Sequence, residues 1–169
     1  MSKLHHQWKS FSLVEEPIAF PDGRQCYHTT LKHPGASVIM AQTKQGQFVL
    51  IRQFRPSLKR WIIELPAGTR EGNESPLTCA KRELIEETGY SAQHWQHLGQ
   101  IHPAPGFCDE ALEIYLATTL SQTDTNFDDD ELIEVLTLDL TTITAWIKAG
   151  KITDAKTICA FMLLGLHSR

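Results

Sequence analysis

The sequence predicts a mixed α+β domain in which most strands come before and between the helices. Three observations support this fold class. The first 65 residues contain several β-branched and aromatic segments separated by turns rich in Gly and Pro. A helix with clear start and stop signals follows, and strand-like segments then resume before two final helical patterns. The length of 169 residues suits a single domain, 1–169, with one sizeable core.

The predicted strands are bounded by turn signals such as Pro21-Asp22-Gly23 and Lys44-Gln45-Gly46. They cover residues 8–14, 26–31, 36–41, 48–54, 61–65, 94–101, 111–118 and 132–138.

The best-defined helix is predicted to begin at Pro76, because Ser75 is a favourable N-cap and proline suits the first helical position. Gly89 is a favourable stop just beyond the last turn. The apolar residues that recur at helical spacing and predict its buried stripe are Leu77, Ala80 and Leu84. Two further helices are predicted at 142–149 and 154–166.

Composition excludes several classes of function. The net charge of −4 gives no basic surface for a nucleic acid, and no apolar run reaches membrane-spanning length or forms a secretory signal. The four cysteines are far apart and form no Cys-x-x-Cys pair, and the eight histidines lack zinc-ligand spacing. We therefore expect a cytoplasmic protein that binds neither nucleic acid nor membrane.

Three glutamates share one face of the predicted helix. Glu83, Glu86 and Glu87 are three or four residues apart, so their side chains are neighbours on the helix surface. Like charges at this spacing repel each other, but a hard divalent cation such as Mg²⁺ binds carboxylate oxygens well. Arg82 can reach Glu86 one turn on, or fork onto Glu74, and so hold a carboxylate in place. A solvated acidic face is the alternative for the three glutamates taken alone.

A longer pattern surrounds these glutamates and favours a functional site. Gly68 is followed after five residues by Glu74, and after seven more by the run Arg82-Glu83-Leu84-Ile85-Glu86-Glu87-Thr88-Gly89-Tyr90. This arrangement matches the Nudix box at every defined position, and a chance match at a given start is on the order of 10⁻⁹. On these residues the chain resembles the Nudix hydrolase family.

The resemblance implies a fold, a metal site and a reaction. The fold is an α/β/α sandwich with a mixed β-sheet and an N-terminal β-strand extension. The implied ligands of Mg²⁺, for which Mn²⁺ can substitute, are Glu83, Glu86, Glu87 and the carbonyl of Ala67. Glu86 ligates or bridges metals in catalysis, and Arg82 orients the carboxylates. The implied reaction is attack of water on a phosphorus of a diphosphate, with the cations polarising the phosphoryl oxygens.

Segments outside the box resemble the ADP-ribose and nucleoside diphosphate sugar pyrophosphatase subgroup. They are Gln53-Phe54-Arg55-Pro56, Glu64-Leu65-Pro66-Ala67-Gly68, Pro105 sixteen residues after Gly89, and residues 131–135 and 152–157. The implied activity is hydrolysis of ADP-ribose, or of a related nucleoside diphosphate sugar, to a nucleoside monophosphate and a sugar phosphate. GDP-mannose is the alternative substrate, whereas diadenosine polyphosphates and oxidised nucleoside triphosphates fit this pattern less well. A sensor that binds nucleotide sugars without turnover is disfavoured, because such domains often lose box carboxylates and this chain retains them all.

By the same resemblance, Arg55 binds a substrate phosphate and Pro105 belongs to the substrate site. Trp8 can stack on the nucleobase, because enzymes of this subgroup are usually homodimers in which the N-terminal strands, here about 1–35, build the partner's base pocket. The alternatives are a solvent-exposed arginine at a strand end and a tryptophan that only packs.

The general base of the subgroup is a glutamate in a mobile loop remote from the box. Glu131 matches this place best, with Asp130 and Asp129 as alternates. A carboxylate there can take a proton from water if the loop closes to hydrogen-bond distance, although an acidic run can also be a solvated turn. Glu110 could also approach the metals, or be a surface residue at the start of a strand.

Overall fold

A computed structural model of the chain describes residues 2–123 and 132–167. These residues form ten strands and three helices. The strands are β1 (Lys3–Trp8), β2 (Phe11–Ala19), β3 (Gln25–Lys32), β4 (Ala36–Gln42), β5 (Phe48–Arg55), β6 (Arg60–Glu64), β7 (Ala67–Thr69), β8 (Tyr90–Ile101), β9 (Leu112–Gln122) and β10 (Ile133–Leu138). The helices are α1 (Pro76–Thr88), α2 (Leu140–Lys148) and α3 (Ala155–His167).

Strands β1, β2 and β3 form an antiparallel sheet of their own. The prediction of one strand over residues 8–14 was wrong, because the chain turns at Lys9 and Ser10 and pairs Trp8 with Phe11 across the turn. Lys9 has a φ of 51°, a left-handed conformation usually taken by Gly, Asn or Asp. Lys9 is not a residue type that marks turns in a sequence, and Ser10 is only a weak turn signal. The other predicted strands are present, with ends that differ by up to four residues.

The second sheet is mixed and diverges at its centre. Its main path runs β10-β5-β4-β9-β8, and only the β4–β9 pair is parallel. Strands β4 and β5 pair only near one end, at Ala41 and Gln42. Residues 60–69 fill the gap beyond it, because β6 pairs with β5 and β7 pairs with β4. The short strand β7, which the sequence did not predict, thus places residues 67–69 at the splayed centre of the sheet.

Both faces of this sheet are buried, as the predicted α/β/α sandwich requires. Successive side chains of a strand point to opposite faces, so each central strand contributes to two cores. One core contains Val38, Met40, Phe48, Leu50 and Ile114 from the strands and Ile143 and Ala160 from α2 and α3. The other contains Ile39, Ala41, Val49 and Ala117 from the strands and Ala80 and Leu84 from α1. The predicted fold class is confirmed.

Helix α1 begins and ends where its sequence signals predict. The Ser75 side chain accepts a hydrogen bond from the N–H of Thr78 at 3.1 Å, and Gly89 ends the helix with a φ of 68°. Helix α2 begins at Leu140, two residues before the predicted start, because Asp139 caps it. None of the described helices has the length and apolar character needed to cross a membrane.

Candidate active site

Arg82 lies at the centre of the box and binds three of its glutamates. Its Nη2 donates to Glu74 Oε1 at 2.7 Å, and its Nη1 donates to Glu83 Oε1 at 2.7 Å and Glu86 Oε2 at 2.8 Å. Nη2 also donates to the carbonyl of Thr69 at 3.1 Å, which connects α1 to the segment 67–75 that contains β7 and is called the loop, or box loop, below. Burial alone would lower the pKa of Arg82, but its bonds to Glu74 and the nearby carboxylates raise it above its usual range. Both contacts predicted for Arg82 from the sequence, with Glu74 and with Glu86, are present.

Gly68 allows the loop to approach the box helix closely. A Cβ atom at position 68 would coincide with the carboxylate of Glu83, so any larger residue would displace that carboxylate. Beneath the loop, the buried Cys79 Sγ donates to the carbonyl of Gly68 at 3.3 Å. Burial raises the pKa of the Cys79 thiol to about 12. The thiol therefore stays protonated at neutral pH and can hold the loop as a hydrogen-bond donor.

Glu87 makes a second connection between helix and loop. It is 2 % exposed, and its Oε2 accepts a hydrogen bond from the N–H of Ala67 at 2.8 Å. Ala67 is the residue whose carbonyl the sequence predicts as a metal ligand. Ala67 thus contacts Glu87, and the adjacent Gly68 contacts Glu83, so two neighbouring residues contact two of the predicted metal-binding carboxylates.

The chemistry of this donor set fits a hard divalent cation. Three helix carboxylates and a backbone carbonyl supply only oxygen ligands, which Mg²⁺ prefers. In the described part of the chain, however, no group of three or more His, Cys, Asp or Glu side chains is arranged to hold a metal ion. Two of the candidate carboxylates, Glu83 and Glu86, are bonded to Arg82 instead. The predicted ligand set therefore stays a prediction.

Two cavities meet at the residues of β7 and form one cleft. The first measures about 310 Å³ and the second about 470 Å³. Their shared wall consists of Arg55, Ala67, Gly68 and Thr69. The first cavity is also lined by Pro103, Glu110, Asp154 and Lys156, and the second by Lys9, Arg82, Glu83 and Glu86. The fold thus brings the box and the predicted phosphate-binding arginine to one cleft.

Arg55 is fixed by a buried carboxylate. Its Nε and Nη2 donate to Glu64 Oε1 and Oε2 at 2.8 and 2.9 Å, a bidentate pair. Burial alone would lower the pKa of Arg55, but the hydrogen bonds and charge of Glu64 raise it. Arg55 is therefore a charged group held in place at the cleft. No role was predicted for Glu64 from the sequence; the available signal was a charged residue inside the apolar run of residues 61–66, where a buried charge requires a partner.

Glu110 lines the first cavity and is paired with a histidine. His33 Nδ1 accepts a hydrogen bond from the N–H of Gly35 at 2.9 Å, and its Nε2 lies 3.3 Å from Glu110 Oε1. The wall of this cavity includes Pro103, whereas Pro105 is exposed in the same loop and lines neither cavity of the cleft. The substrate contact at Pro105 stays a prediction.

Trp8 lies at the end of β1 with 61 % of its surface exposed. Its ring stacks on Phe11 with centroids 5.5 Å apart, and the two residues that follow it, Lys9 and Ser10, line the second cavity. The predicted base, Glu131, and its alternates Asp130 and Asp129 lie outside the described residues.

Residues 31–161 match the model of the NUDIX domain. The chain is 36 % identical to the ADP-ribose pyrophosphatase of Bacillus subtilis, over 94 % of this chain and 86 % of that protein. It is 35 % identical to the methanol dehydrogenase activator of Bacillus methanolicus, over 92 % of this chain and 85 % of that protein. It is also 35 % identical to the GDP-mannose pyrophosphatase of Citrobacter koseri, over 79 % of this chain and 73 % of that protein.

A solved structure has the same fold at low sequence identity. The crystal structure of an ADP compounds hydrolase aligns with a TM-score of 0.81 and 18 % identity, over 97 % of this chain and 89 % of the other. The domain match and the relatives above show that this protein belongs to the Nudix family and is a Nudix hydrolase. Nudix pyrophosphatases generally use divalent metal ions.

Proposed function

We propose that this protein hydrolyses the pyrophosphate bond of a nucleoside diphosphate sugar, with ADP-ribose as the first candidate. The products are a nucleoside monophosphate and a sugar phosphate. The observation that carries the proposal is the shared wall of the cleft, where Arg55 meets the loop that contacts Glu83 and Glu87. A phosphate-binding cation and a set of metal-binding carboxylates are two of the features that stabilise the transition state when a diphosphate is cut.

Glu83, Glu86, Glu87 and the carbonyl of Ala67 would hold Mg²⁺, for which Mn²⁺ can substitute. When bound, the cations supply Lewis-acid polarisation of the phosphoryl oxygens and a more acidic water. Arg82 holds Glu83 and Glu86 through Nη1 and Glu74 through Nη2, so the carboxylates stay clustered despite their mutual repulsion. Glu131 remains the proposed general base, on the resemblance alone.

The two cavities of the cleft allow an extended substrate to lie across the shared wall. If a diphosphate lies against the shared wall, one substituent extends into the cavity with Pro103 and Glu110 and the other toward the cavity with Lys9 and Arg82. Arg55, held by Glu64, then donates to the diphosphate. Five N–H donors are available on a guanidinium, and the fork to Glu64 uses two of them.

The N-terminal sheet is the proposed dimer contact. Leu4, Trp8 and Tyr27 lie on it with 57 %, 61 % and 64 % of their surfaces exposed, and Trp and Tyr are enriched in protein–protein interfaces. A homodimer through residues of the 1–35 region would cover such side chains, and Trp8 could stack on a nucleobase there. Size measurement in solution tests this contact, and a monomer at all concentrations would contradict it.

The test is a substrate panel. Purified protein is incubated with ADP-ribose, GDP-mannose, other nucleotide sugars and nucleoside triphosphates, with Mg²⁺, with Mn²⁺ or with a chelator, and the products are separated by chromatography. We expect metal-dependent release of a nucleoside monophosphate from a nucleotide sugar and no turnover with the chelator. Binding of a nucleotide sugar without turnover under every metal condition would contradict hydrolysis and support a sensor.

GDP-mannose is the second candidate substrate, because the curated relatives include a GDP-mannose pyrophosphatase at similar identity to the ADP-ribose pyrophosphatase. The two candidates share the diphosphate and differ in base and sugar. The ratio of kcat/KM values for the two substrates decides between them, since this ratio measures discrimination.

Replacing Gly68 by Ala is expected to lower kcat for hydrolysis while changing the free energy of unfolding little. The new methyl group would displace the Glu83 carboxylate, the far end of a flexible side chain, so the fold can adjust. We expect kcat to fall at least about 10-fold while the free energy of unfolding changes by less than about 1 kcal/mol. Gly106→Ala is the matched control, because a Cβ there meets nothing within 4 Å. Equal kcat values for the two variants would contradict a role for the Gly68–Glu83 contact.

A further inference from the structure

Arg70 in the box loop is bonded to backbone carbonyls on two sides. Its Nε and Nη2 both donate to the carbonyl of Glu74, at 3.0 and 2.7 Å, so the guanidinium closes the turn of residues 70–74. Its backbone N–H donates to the carbonyl of Gly35 at 3.0 Å, and its Nη1 donates to the carbonyl of Pro34 at 3.5 Å. Arg70 therefore fastens the end of the box loop to the segment that leads into β4.

Hydrogen bonds rather than close packing fix the Arg70 side chain. It is half-buried and lines two cavities, the cleft cavity of about 470 Å³ and a separate cavity of about 140 Å³. Its position beside the carbonyl just before the N-cap Ser75 also disfavours a cation, because the start of a helix carries partial positive charge. The arrangement therefore stabilises the box loop and gives no electrostatic benefit to α1.

Glu74 is held between two arginines, Arg70 at its carbonyl and Arg82 at its carboxylate. Arg82 Nη2 donates to Glu74 Oε1 at 2.7 Å, and the same oxygen accepts from the N–H of Glu71 at 2.9 Å. The N–H of Glu74 donates in return to the carbonyl of Glu71 at 3.0 Å. Because the Arg82 guanidinium also binds two carboxylates of α1, the position of Glu74 affects the orientation of the predicted metal-binding groups.

We propose that Arg70 is a positioning residue for hydrolysis. Its fork on the Glu74 carbonyl fixes the box loop and, through Glu74, the Arg82 guanidinium that orients the helix carboxylates. This inference rests on the proposed function, because it assigns Arg70 to the catalytic geometry of the same cleft. Each guanidinium nitrogen of Arg70 already donates to a backbone carbonyl, so its role does not require contact with the substrate. Rate rather than affinity then depends on Arg70, since small displacements of catalytic groups are costly.

The test compares the steady-state kinetics of Arg70→Met with those of Arg70→Lys and of the control Arg52→Met. Arg52 is a surface arginine that pairs with Glu134 and lines neither cavity of the cleft. For Arg70→Met we expect kcat to fall roughly 10- to 100-fold with KM within about 3-fold of wild type, because displaced catalytic groups lose rate first. Arg70→Lys keeps the charge but has one donor nitrogen, so it should recover only part of the rate, and Arg52→Met should match the wild type.

Hydrogen exchange reports the order of the loop independently of the chemistry. The N–H groups of residue 70 and of Glu71 and Glu74 should exchange at least about 10-fold faster in Arg70→Met, because their hydrogen bonds belong to the turn that Arg70 closes. Unchanged exchange, or faster exchange with an unchanged kcat, would overturn the proposal. A KM raised at least about 10-fold with an unchanged kcat would also overturn it, since that result indicates a direct substrate contact.

Glu74→Ala tests the route from Arg70 to Arg82, because it removes the carboxylate that Arg82 binds and leaves the carbonyl that Arg70 binds. Thermal unfolding verifies that each variant is folded. If Arg70 acts through Glu74, adding Arg70→Met to Glu74→Ala lowers kcat by less than about 3-fold, whereas losses that multiply would overturn this route.

The outcomes also distinguish this inference from the proposed function. Hydrolysis of nucleotide sugars with unchanged kcat in Arg70→Met would leave the function intact and overturn the role of Arg70. Hydrolysis of nucleoside triphosphates alone, at a rate that depends on Arg70, would reject nucleotide sugars as substrates and support Arg70. Absence of hydrolysis in the wild type would overturn both.

Discussion

Replacing Arg82 by Met should lower kcat by about 10²- to 10³-fold and the free energy of unfolding by about 3 kcal/mol. Arg82 places its single positive charge within hydrogen-bond distance of Glu74, Glu83 and Glu86, and its removal leaves three partly buried carboxylates to repel one another with no cation among them. The stability loss lies at the low end for buried ion pairs, because the Arg82 side chain is 23 % exposed. Steady-state kinetics of nucleotide-sugar hydrolysis and urea unfolding measure the two effects.

Arg82→Lys is the matched variant, because it keeps the positive charge and loses the planar fork. A lysine has one donor nitrogen, whereas Arg82 uses Nη2 for Glu74 and Nη1 for Glu83 and Glu86, so we expect most of the stability to return and less of the rate. If Arg82→Lys restored the wild-type rate, positive charge alone would explain the contribution of Arg82 to kcat. A rate for Arg82→Met within about 3-fold of wild type would contradict its role in orienting Glu83 and Glu86.

The box could be predicted because its geometry is local. Glu83, Glu86 and Glu87 lie on one helical face and Arg82 is one turn before Glu86, so helical spacing fixes these neighbours before any tertiary structure is known. The Arg82–Glu83 bond joins adjacent residues and was not predicted. The same holds for the caps, since Ser75 and Gly89 act within one turn of the helix. The α/β/α sandwich followed from the family resemblance, and the two cores on opposite faces of the sheet confirm it.

Features that depend on distant pairing could not be predicted. Glu64 and Lys156 form an ion pair although they are 92 residues apart in sequence, and nothing local to either one indicates the other. Strand β7 is three residues long and exists because the splay between β4 and β5 admits residues 60–69. The turn at Lys9 was missed for another reason, since its left-handed backbone is held by strand pairing rather than by a turn residue.

Replacing Glu87 by Gln should abolish most turnover while leaving the fold intact. Glu87 is 2 % exposed and accepts the Ala67 N–H at 2.8 Å, and the amide oxygen of an equally large glutamine can accept the same bond. The change therefore removes charge rather than packing. Loss of one carboxylate from the proposed metal site should lower kcat by about 10³-fold or more and weaken Mn²⁺ binding, since metal polarisation supplies several kcal/mol to the transition state.

The control for this change is Glu134→Gln, an exposed glutamate that pairs with Arg52 and lines neither cavity of the cleft. It should retain the wild-type kcat, since an exposed pair contributes little to stability. Calorimetric Mn²⁺ binding and thermal unfolding of both variants separate metal loss from misfolding. A Glu87→Gln protein with wild-type rate and Mn²⁺ affinity would exclude Glu87 as a ligand, and the buried carboxylate would then act only as the acceptor that holds Ala67 in the loop.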